Sequence, residues 1–234
     1  TFFLLLAWIG AIHWARGGVP EAVDGIIFIL LLFVSVVLHE FGHVLAARRY
    51  GINTPEITLL PIGGVASLER MPEKPAQEIV VALAGPLVTL LIVLVLMFVL
   101  GARFDLTQMA QLEQAQSTMT GRIAAANGAL LLFNLIPAFP MDGGRVLRAI
   151  LAMLTDYGKA TRLAATIGQG IAMIVVVAML LGNSFNPFLM LIAVFIFIAA
   201  GQEAAMVTQQ EATRDFLVRD AMLHLLAPLG TSIE

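Results

Sequence analysis

The sequence of 234 residues predicts an all-α polytopic membrane protein of about six transmembrane helices. The first observation behind this is compositional: 59% of the residues are hydrophobic and 12% charged, against roughly 25% charged in a soluble domain. That is more apolar surface than one core hides beneath a polar shell, so lipid must solvate the remainder. The second is the arrangement of apolar stretches near 1–14, 25–47, 77–100, 122–137, 163–181 and 187–201, divided by short polar or Gly/Pro-bearing segments. The third is the uneven placement of 13 Lys and Arg residues. Ten of them, Arg48, Arg49, Arg70, Lys74, Arg145, Arg148, Lys159, Arg162, Arg214 and Arg219, fall on one side of such a six-segment chain. Only Arg16, Arg103 and Arg122 fall on the other. Cytoplasmic loops retain basic residues, so both termini are expected in the cytoplasm.

Composition also excludes functions. A net charge of −3 provides no basic field to gather nucleic acid phosphates. The absence of cysteine removes disulfides, thiolate metal sites and cysteine nucleophiles, so any metal must bind nitrogen and oxygen.

Taken in order, segment one opens at Thr1 within an apolar run, with neither an initiator Met nor the charged region of a signal peptide. Its stretch from Phe2 to Ile12 is shorter than the roughly 20 residues of a spanning helix, so the N-terminus is expected to be trimmed. His13, beside Trp14, reads as an interfacial residue. Between segments two and three, the run from Glu56 to Leu68 has β-branched and aliphatic residues around Pro61, Gly63 and Gly64. It suits either a short strand or hairpin or a plain connecting loop. The polar stretch 101–121, with Gln108, Gln111, Gln114 and Gln116, reads as a solvated connector on the outer side. Segment four ends in LLFNLIPAFPMDGGRVLR, where Pro137 and Pro140 break the helix. Backbone broken at membrane depth persists only beside protein or water, so this segment should line a polar cavity. In segment five, Gly168 and Gly170 read as packing positions. Segment six ends near Glu203, read as a helix terminus at the cytoplasmic surface. His224, in the tail, reads as a surface residue.

Segment two carries the chemistry. Its end, VVLHEFGHVLAARRYG, sets His39 and His43 one helical turn apart and about 40° around the axis, so both imidazoles can meet one cation. With this composition HExxH arises by chance in about three of a thousand such chains. Polar groups in a membrane helix cost a few kcal/mol each and persist mainly beside a cavity and a partner. The alternatives are a hydrogen-bonded cluster between helices or a structural metal. A catalytic zinc needs a third protein ligand and an open position for water. Ala46 and Arg49 stand where a metzincin would need Gly and a third His, so that subclass is excluded. Glu56, Glu69, Glu73, Glu78, Asp142 and Asp156 are the carboxylates on the same side. Because His39 lies nine residues before Arg48, about 14 Å below the cytoplasmic surface, the ligand must reach that depth. Asp142, just past the broken segment, can turn back to the metal, or it can cap the helix that begins at Gly143.

At these residues the chain resembles the site-2 protease family of intramembrane zinc metalloproteases. HEFGH at 39–43 matches the family's first motif and NLIPAFPMDGG at 134–144 its second; LLPIGGVASLE at 59–69 and ALAGP at 82–86 also look like family segments. The likeness covers residues 1–206. It implies a Zn2+ ion held by His39, His43 and Asp142, with Glu40 as general base and Asn134 close to the site. Asn134 would hydrogen-bond the oxyanion or the substrate backbone, a role worth about 3 kcal/mol in other enzymes, or else hold helices together. The substrate helix must unwind before its peptide bonds are accessible. The free edge of a hairpin at 56–69, with Gly63, Gly64 and Val65, would hold the unwound strand by strand addition.

The short 101–121 loop leaves no room for a PDZ domain, and the chain looks like the branch with C-terminal CBS domains. The tail from Phe216, FLVRDAMLHLLAPLGTSIE, is similar to the opening of such a domain. Residues 1–206 are thus expected to form the protease domain, and 207–234 a linker and the beginning of a CBS domain. A nucleotide would bind only through a CBS pair that this chain lacks. The resemblance implies a transmembrane protein substrate such as an anti-sigma factor, a membrane-bound transcription factor or a signal-peptide remnant, cut in the lipid bilayer of a prokaryotic inner membrane. The rival functions are a membrane metal transporter or sensor using the same ligands, and a non-catalytic relative that only binds helices.

Overall fold

The computed structural model describes residues 2–52, 56–60, 63–67, 74–102, 118–182 and 185–214. Among them are six helices and one hairpin: α1 (Phe2–Arg49), β1 (Glu56–Leu60), β2 (Gly63–Ser67), α2 (Pro75–Phe98), α3 (Met119–Asn134), α4 (Asp142–Ala152), α5 (Tyr157–Leu181) and α6 (Pro187–Arg214). Four of these helices, α1, α2, α5 and α6, are long and apolar enough to cross a membrane. Each of the six apolar segments falls in a helix, but not each in a long one of its own. The first two share α1. The fourth is α3, whose 16 residues extend only about 24 Å, less than the ~30 Å hydrocarbon core.

The helix α1 doubles back on itself. Gly17 (φ −151°) and Gly18 (φ +73°, ψ −155°) leave helical geometry and divide it into two arms. Gly18 occupies left-handed backbone space that a side chain resists. The Phe2 and Phe33 rings lie 4.3 Å apart between centroids. A Cβ on Gly10 would stand 3.1 Å from Ile26, and one on Gly25 would stand 2.8 Å from the His13 ring. Pairing of early residues with late ones in this way makes the arms antiparallel. Pro20 sits at the start of the second arm, where a helix tolerates it because the first amides have no intrahelical acceptor. His13, expected at the interface, therefore packs between the arms.

The helix α2 is the centre of the fold: α1, α3 and α4 all pack on it, α5 packs on α4, and α6 on α5. Pro75 starts it in the first turn. A Cβ on Gly42 would meet the Ala84 carbonyl at 2.7 Å, so the α1 and α2 backbones nearly touch within the HEFGH motif. The irregular stretch between α3 and α4 buries Ala138, Phe139 and Met141. Its Ala138 and Met141 cluster with Ala172 and Ile196, and its Phe139 with Ala164, Ala165 and Ala200, wedging the loop between α5 and α6. Gly168 permits this, since its Cβ would lie 3.1 Å from Ala138, whereas Gly170 faces open space. Outward-facing Leu91, Val95, Ile174, Leu180, Leu191 and Ile198 are exposed, as lipid-facing residues would be.

The strands pair antiparallel, Gly63 opposite Leu60, Gly64 opposite Leu59 and Val65 opposite Thr58, and β2 runs beside α1. The α6 N-terminus is capped by Asn186, whose Oδ1 accepts from the Phe188 and Leu189 amides at 3.0 and 3.2 Å. The helix then continues through Arg214, with no break at the expected 206/207 boundary. Glu203 is accordingly interior to α6 and not a helix terminus. The CBS-like tail from Phe216, including His224, and most of the 101–121 connector lie outside the described residues.

Candidate metal centre

His39 and His43 project from one face of the second α1 arm and are nearly fully buried. Helix spacing alone would leave their rings free to rotate; α2 fixes them. The Val81 carbonyl lies 2.8 Å from His43 Nδ1, and the Thr89 hydroxyl 2.9 Å from His39 Nδ1. A carbonyl only accepts, so His43 Nδ1 carries the proton. The Thr89 hydroxyl donates to the Gly85 carbonyl at 3.4 Å, so it accepts from His39 Nδ1 as well. Both neutral rings therefore aim an unprotonated Nε2 at the same point, the arrangement in which the nitrogen remote from a metal is held by a carbonyl or hydroxyl.

Asp142 completes that point. Pro137 and Pro140 end α3 early, and the chain turns tightly enough that a Cβ on Gly143 would stand 2.5 Å from the Leu135 carbonyl oxygen and one on Gly144 2.6 Å from Ala138. Only glycines fit there. Asp142 becomes the first residue of α4, preceded by Met141 at the N-cap, and no side chain caps the helix. The carboxylate turns instead to the imidazoles, with Oδ2 3.2 Å from each Nε2. The two Nε2 atoms are 3.1 Å apart. Of the two roles open to Asp142 in the sequence, the geometry favours the one beside the histidines over the cap.

Three acceptor atoms in a triangle of 3.1–3.2 Å sides repel one another unless a cation or proton lies among them. Tetrahedral zinc with bonds of about 2.0–2.1 Å sets its ligand atoms about 3.3 Å apart. The donor set of two nitrogens and one oxygen fits that ion, and His39, His43 and Asp142 form the one group of metal-ligating side chains found among the described residues. Gly85 closes the cradle. A Cβ there would stand 2.7 Å from His39 Nε2 and closer still to His43 Nε2.

Glu40 is half-buried, one residue from His39, and among the described residues it has no hydrogen-bond partner. The ionisable groups around it are His43, His39, Asp142 and Arg145. Asn134 is the last residue of α3 and half-buried, also without a described partner for its amide. The structure thus brings His39, His43 and Asp142 together, and among the described residues the side chains of Glu40 and Asn134 have no hydrogen-bond partner. Gly63, Gly64 and Val65 lie on β2, which runs beside α1. Of the other carboxylates, the two whose side chains are described, Glu78 and Asp156, do not join the site. Glu78 is bonded to Arg148, and Asp156 is exposed and paired with Lys159 at 2.9 Å, whose hydrogen bond holds its carboxyl below the ordinary range. The side chains of Glu56, Glu69 and Glu73 lie outside the described residues.

Residue-level reading missed Val81, Gly85 and Thr89. The ALAGP segment was visible, but small residues are common in membrane helices, and a carbonyl leaves no sequence signal. Thr89, a hydroxyl within an otherwise apolar run, is the position that could have been found.

The model of peptidase family M50 matches residues 27–122 and 100–183. Zinc metalloprotease MJ0392 of Methanocaldococcus jannaschii is 40% identical over 222 residues, covering 95% of this chain and 61% of that protein. Protein sll0528 of Synechocystis sp. is 38% identical over 228 residues, covering 93% and 58%. The chain thus spans about three fifths of the length of these relatives. The solved structure of the site-2 protease from Methanocaldococcus jannaschii aligns with a TM-score of 0.60 at 38% identity, over 87% of this chain and 88% of that one. With a match over most of its length and zinc metalloproteases among its relatives, the chain belongs to peptidase family M50, the site-2 protease family.

Proposed function

We propose that this protein is an intramembrane zinc metalloprotease that hydrolyses a peptide bond in or near a transmembrane helix of a membrane-anchored protein and releases a cytoplasmic fragment. The observation that carries this reading is the convergence of His39 and His43 on α1 with Asp142 on α4, held by α2, about 15 Å along the helix from its end at Arg49. These three residues hold the zinc. When bound there, zinc would lower the pKa of its water to about 7 and polarise the scissile carbonyl.

The protein's own groups do the rest. Val81 and Thr89 keep both Nε2 lone pairs directed inward. Glu40, with no other partner for its carboxylate among the described residues, takes the proton of the attacking water and returns it to the departing amine. Asn134, at the end of α3, hydrogen-bonds the developing oxyanion or the substrate backbone. The substrate unwinds and lies along the edge of β2 at Gly63, Gly64 and Val65, pairing by strand addition. Counting the two arms of α1 and the short α3 separately, the chain passes through or into the bilayer six times with both termini cytoplasmic. Residues 207–234 join this domain to a CBS region in the whole protein. The substrates are anti-sigma factors, membrane-bound transcription factors or signal-peptide remnants in a prokaryotic inner membrane.

The decisive variant is Glu40→Gln. It should retain one zinc per chain and lose at least ~100-fold in cleavage of a single-span model substrate; unchanged cleavage would refute the assigned base. His39→Ala or Asp142→Ala should lose both metal and cleavage. A transporter would instead show ion flux into sealed vesicles that survives Glu40→Gln, and a non-catalytic relative would bind the substrate without cutting it in any variant.

A further inference from the structure

Among the described residues, the largest fully buried side chain is a charged one outside the metal centre. Arg148, on α4, is 1% exposed. Its Nε and Nη2 both donate to Glu78 Oε1 on α2, at 2.8 and 2.5 Å, and its Nη1 donates to Glu203 on α6 at 2.7 Å. The guanidinium also lies over two rings, 5.2 Å from the centroid of Phe139 and 5.0 Å from that of Tyr157. Glu78 Oε2 is buried without a described hydrogen-bond partner. A buried ion pair with an unsatisfied oxygen is a poor source of stability, because desolvation cancels much of its attraction. Its placement suggests a different role.

Glu78 lies on the same face of α2 as Val81, Gly85 and Thr89, at helical spacings of three, four and four. Of those three later positions, Val81 and Thr89 bond the imidazoles and Gly85 leaves room for them. The first, through Arg148, holds α4, and α4 begins with Asp142. Phe139 and Arg148, three residues before Asp142 and six after it, touch each other, so the aspartate stands in a closed loop of chain fastened to α2. A short helix held by one face can still rotate or slide, and a metal site tolerates displacements of only about 0.2 Å. We propose that Arg148, gripped by Glu78, is the positioning residue for Asp142: one stripe of α2 sets both the histidine and the aspartate sides of the metal. Glu203 ties α6 to the same guanidinium. This inference rests on the reading of His39, His43 and Asp142 as a zinc site.

The test uses the purified full chain in detergent, with zinc affinity measured by chelator competition, the visible spectrum of the cobalt-substituted protein, and thermal unfolding. Arg148→Lys keeps the charge but cannot make the paired bonds to Glu78. The double variant Glu78→Gln with Arg148→Met removes both buried charges together, and Glu203, which also loses its bond to Arg148, is about one third exposed and can be hydrated. Each should weaken zinc binding by about 10–100-fold, the usual cost of losing a group that orients a ligand, and alter the cobalt bands. Phe139→Leu, which keeps apolar volume but removes the ring from the guanidinium, should shift affinity in the same direction and serves if the others fail to fold. Met179→Ala, a truncation near the far end of α5, should lower the unfolding temperature without moving zinc affinity or the cobalt spectrum. Zinc affinity within threefold of wild type, with an unchanged cobalt spectrum, in whichever site variants fold overturns the assignment. If the wild-type protein itself binds no zinc, the metal reading fails before this one is reached.

Discussion

Gly85 stands where no side chain fits, and that makes it the sharpest test of the metal cradle. A methyl group there would occupy the space beside both Nε2 atoms. One ring must rotate, and a rotated ring abandons either the Val81 carbonyl or the Thr89 hydroxyl. Gly85→Ala should therefore reduce zinc affinity at least ~100-fold, and Thr89→Val, which loses one orienting bond, about 10-fold; metal titration of the purified variants checks both. At this scale the sequence was most informative about HEFGH, because two imidazoles one turn apart in an apolar helix have few other uses. It was less informative about Asp142, since an aspartate ahead of a helix caps as readily as it binds. What decides is the backbone fold of 135–144, set by Pro137, Pro140, Gly143 and Gly144 against each other, and no local pattern expresses it. Arg148 was misread for a related reason. Counted with the basic loop residues, it is in fact buried, because Glu78 and Glu203, distant in sequence, neutralise it.

Between residues and the whole lie the helices, and here each apolar run falls in a helix, while the ends of the helices and the short amphipathic α4 were not marked by apolar runs. The α1 turn shows why. Hydropathy sees a continuous apolar run on either side of Arg16, Gly17 and Gly18, but the reversal depends on the backbone freedom of Gly18 at φ +73°. Gly18→Ala should cost about 1–3 kcal/mol, the penalty for holding a residue with a Cβ in positive-φ backbone space that is essentially glycine's alone. Equilibrium unfolding in mixed micelles would measure it, and no loss would mean that the arms do not need this turn. Zinc affinity should be little changed, because His39 and His43 lie in the second arm, held by α2 and not by the first arm. The shortness of α3 was equally hidden. Leu135 and Ile136 continue the apolar run, but Pro137 and the buried turn stop the helix at Asn134, leaving the polar end of α3 at the depth where Asp142 is needed. Glu203 was placed at a helix end on the assumption that charge marks the surface; its bond to Arg148 lets α6 carry it onward.

For the molecule as a whole, the consequence that matters is which way it faces, because a site nearer one leaflet can release its product only on that side. Arg148 is buried and should be dropped from the count of loop charges, yet nine basic residues still stand against Arg16, Arg103 and Arg122, and the bias that orients membrane proteins survives. Leu154, between α4 and α5, and Phe185, between α5 and α6, are both exposed. The 25 residues of α5 separate them by about 38 Å, enough to cross the bilayer. Because the chain has no cysteine, Leu154→Cys and Phe185→Cys each introduce a single thiol without a background. In intact cells, a membrane-impermeant maleimide should label Phe185→Cys and spare Leu154→Cys until the membrane is opened; inverted vesicles should give the opposite pattern. Labelling of both from one side would mean that α5 does not span. Labelling of Leu154→Cys alone from outside would reverse the protein, setting the His39–His43–Asp142 cluster toward the outer leaflet, where a cut could not free a fragment into the cytoplasm.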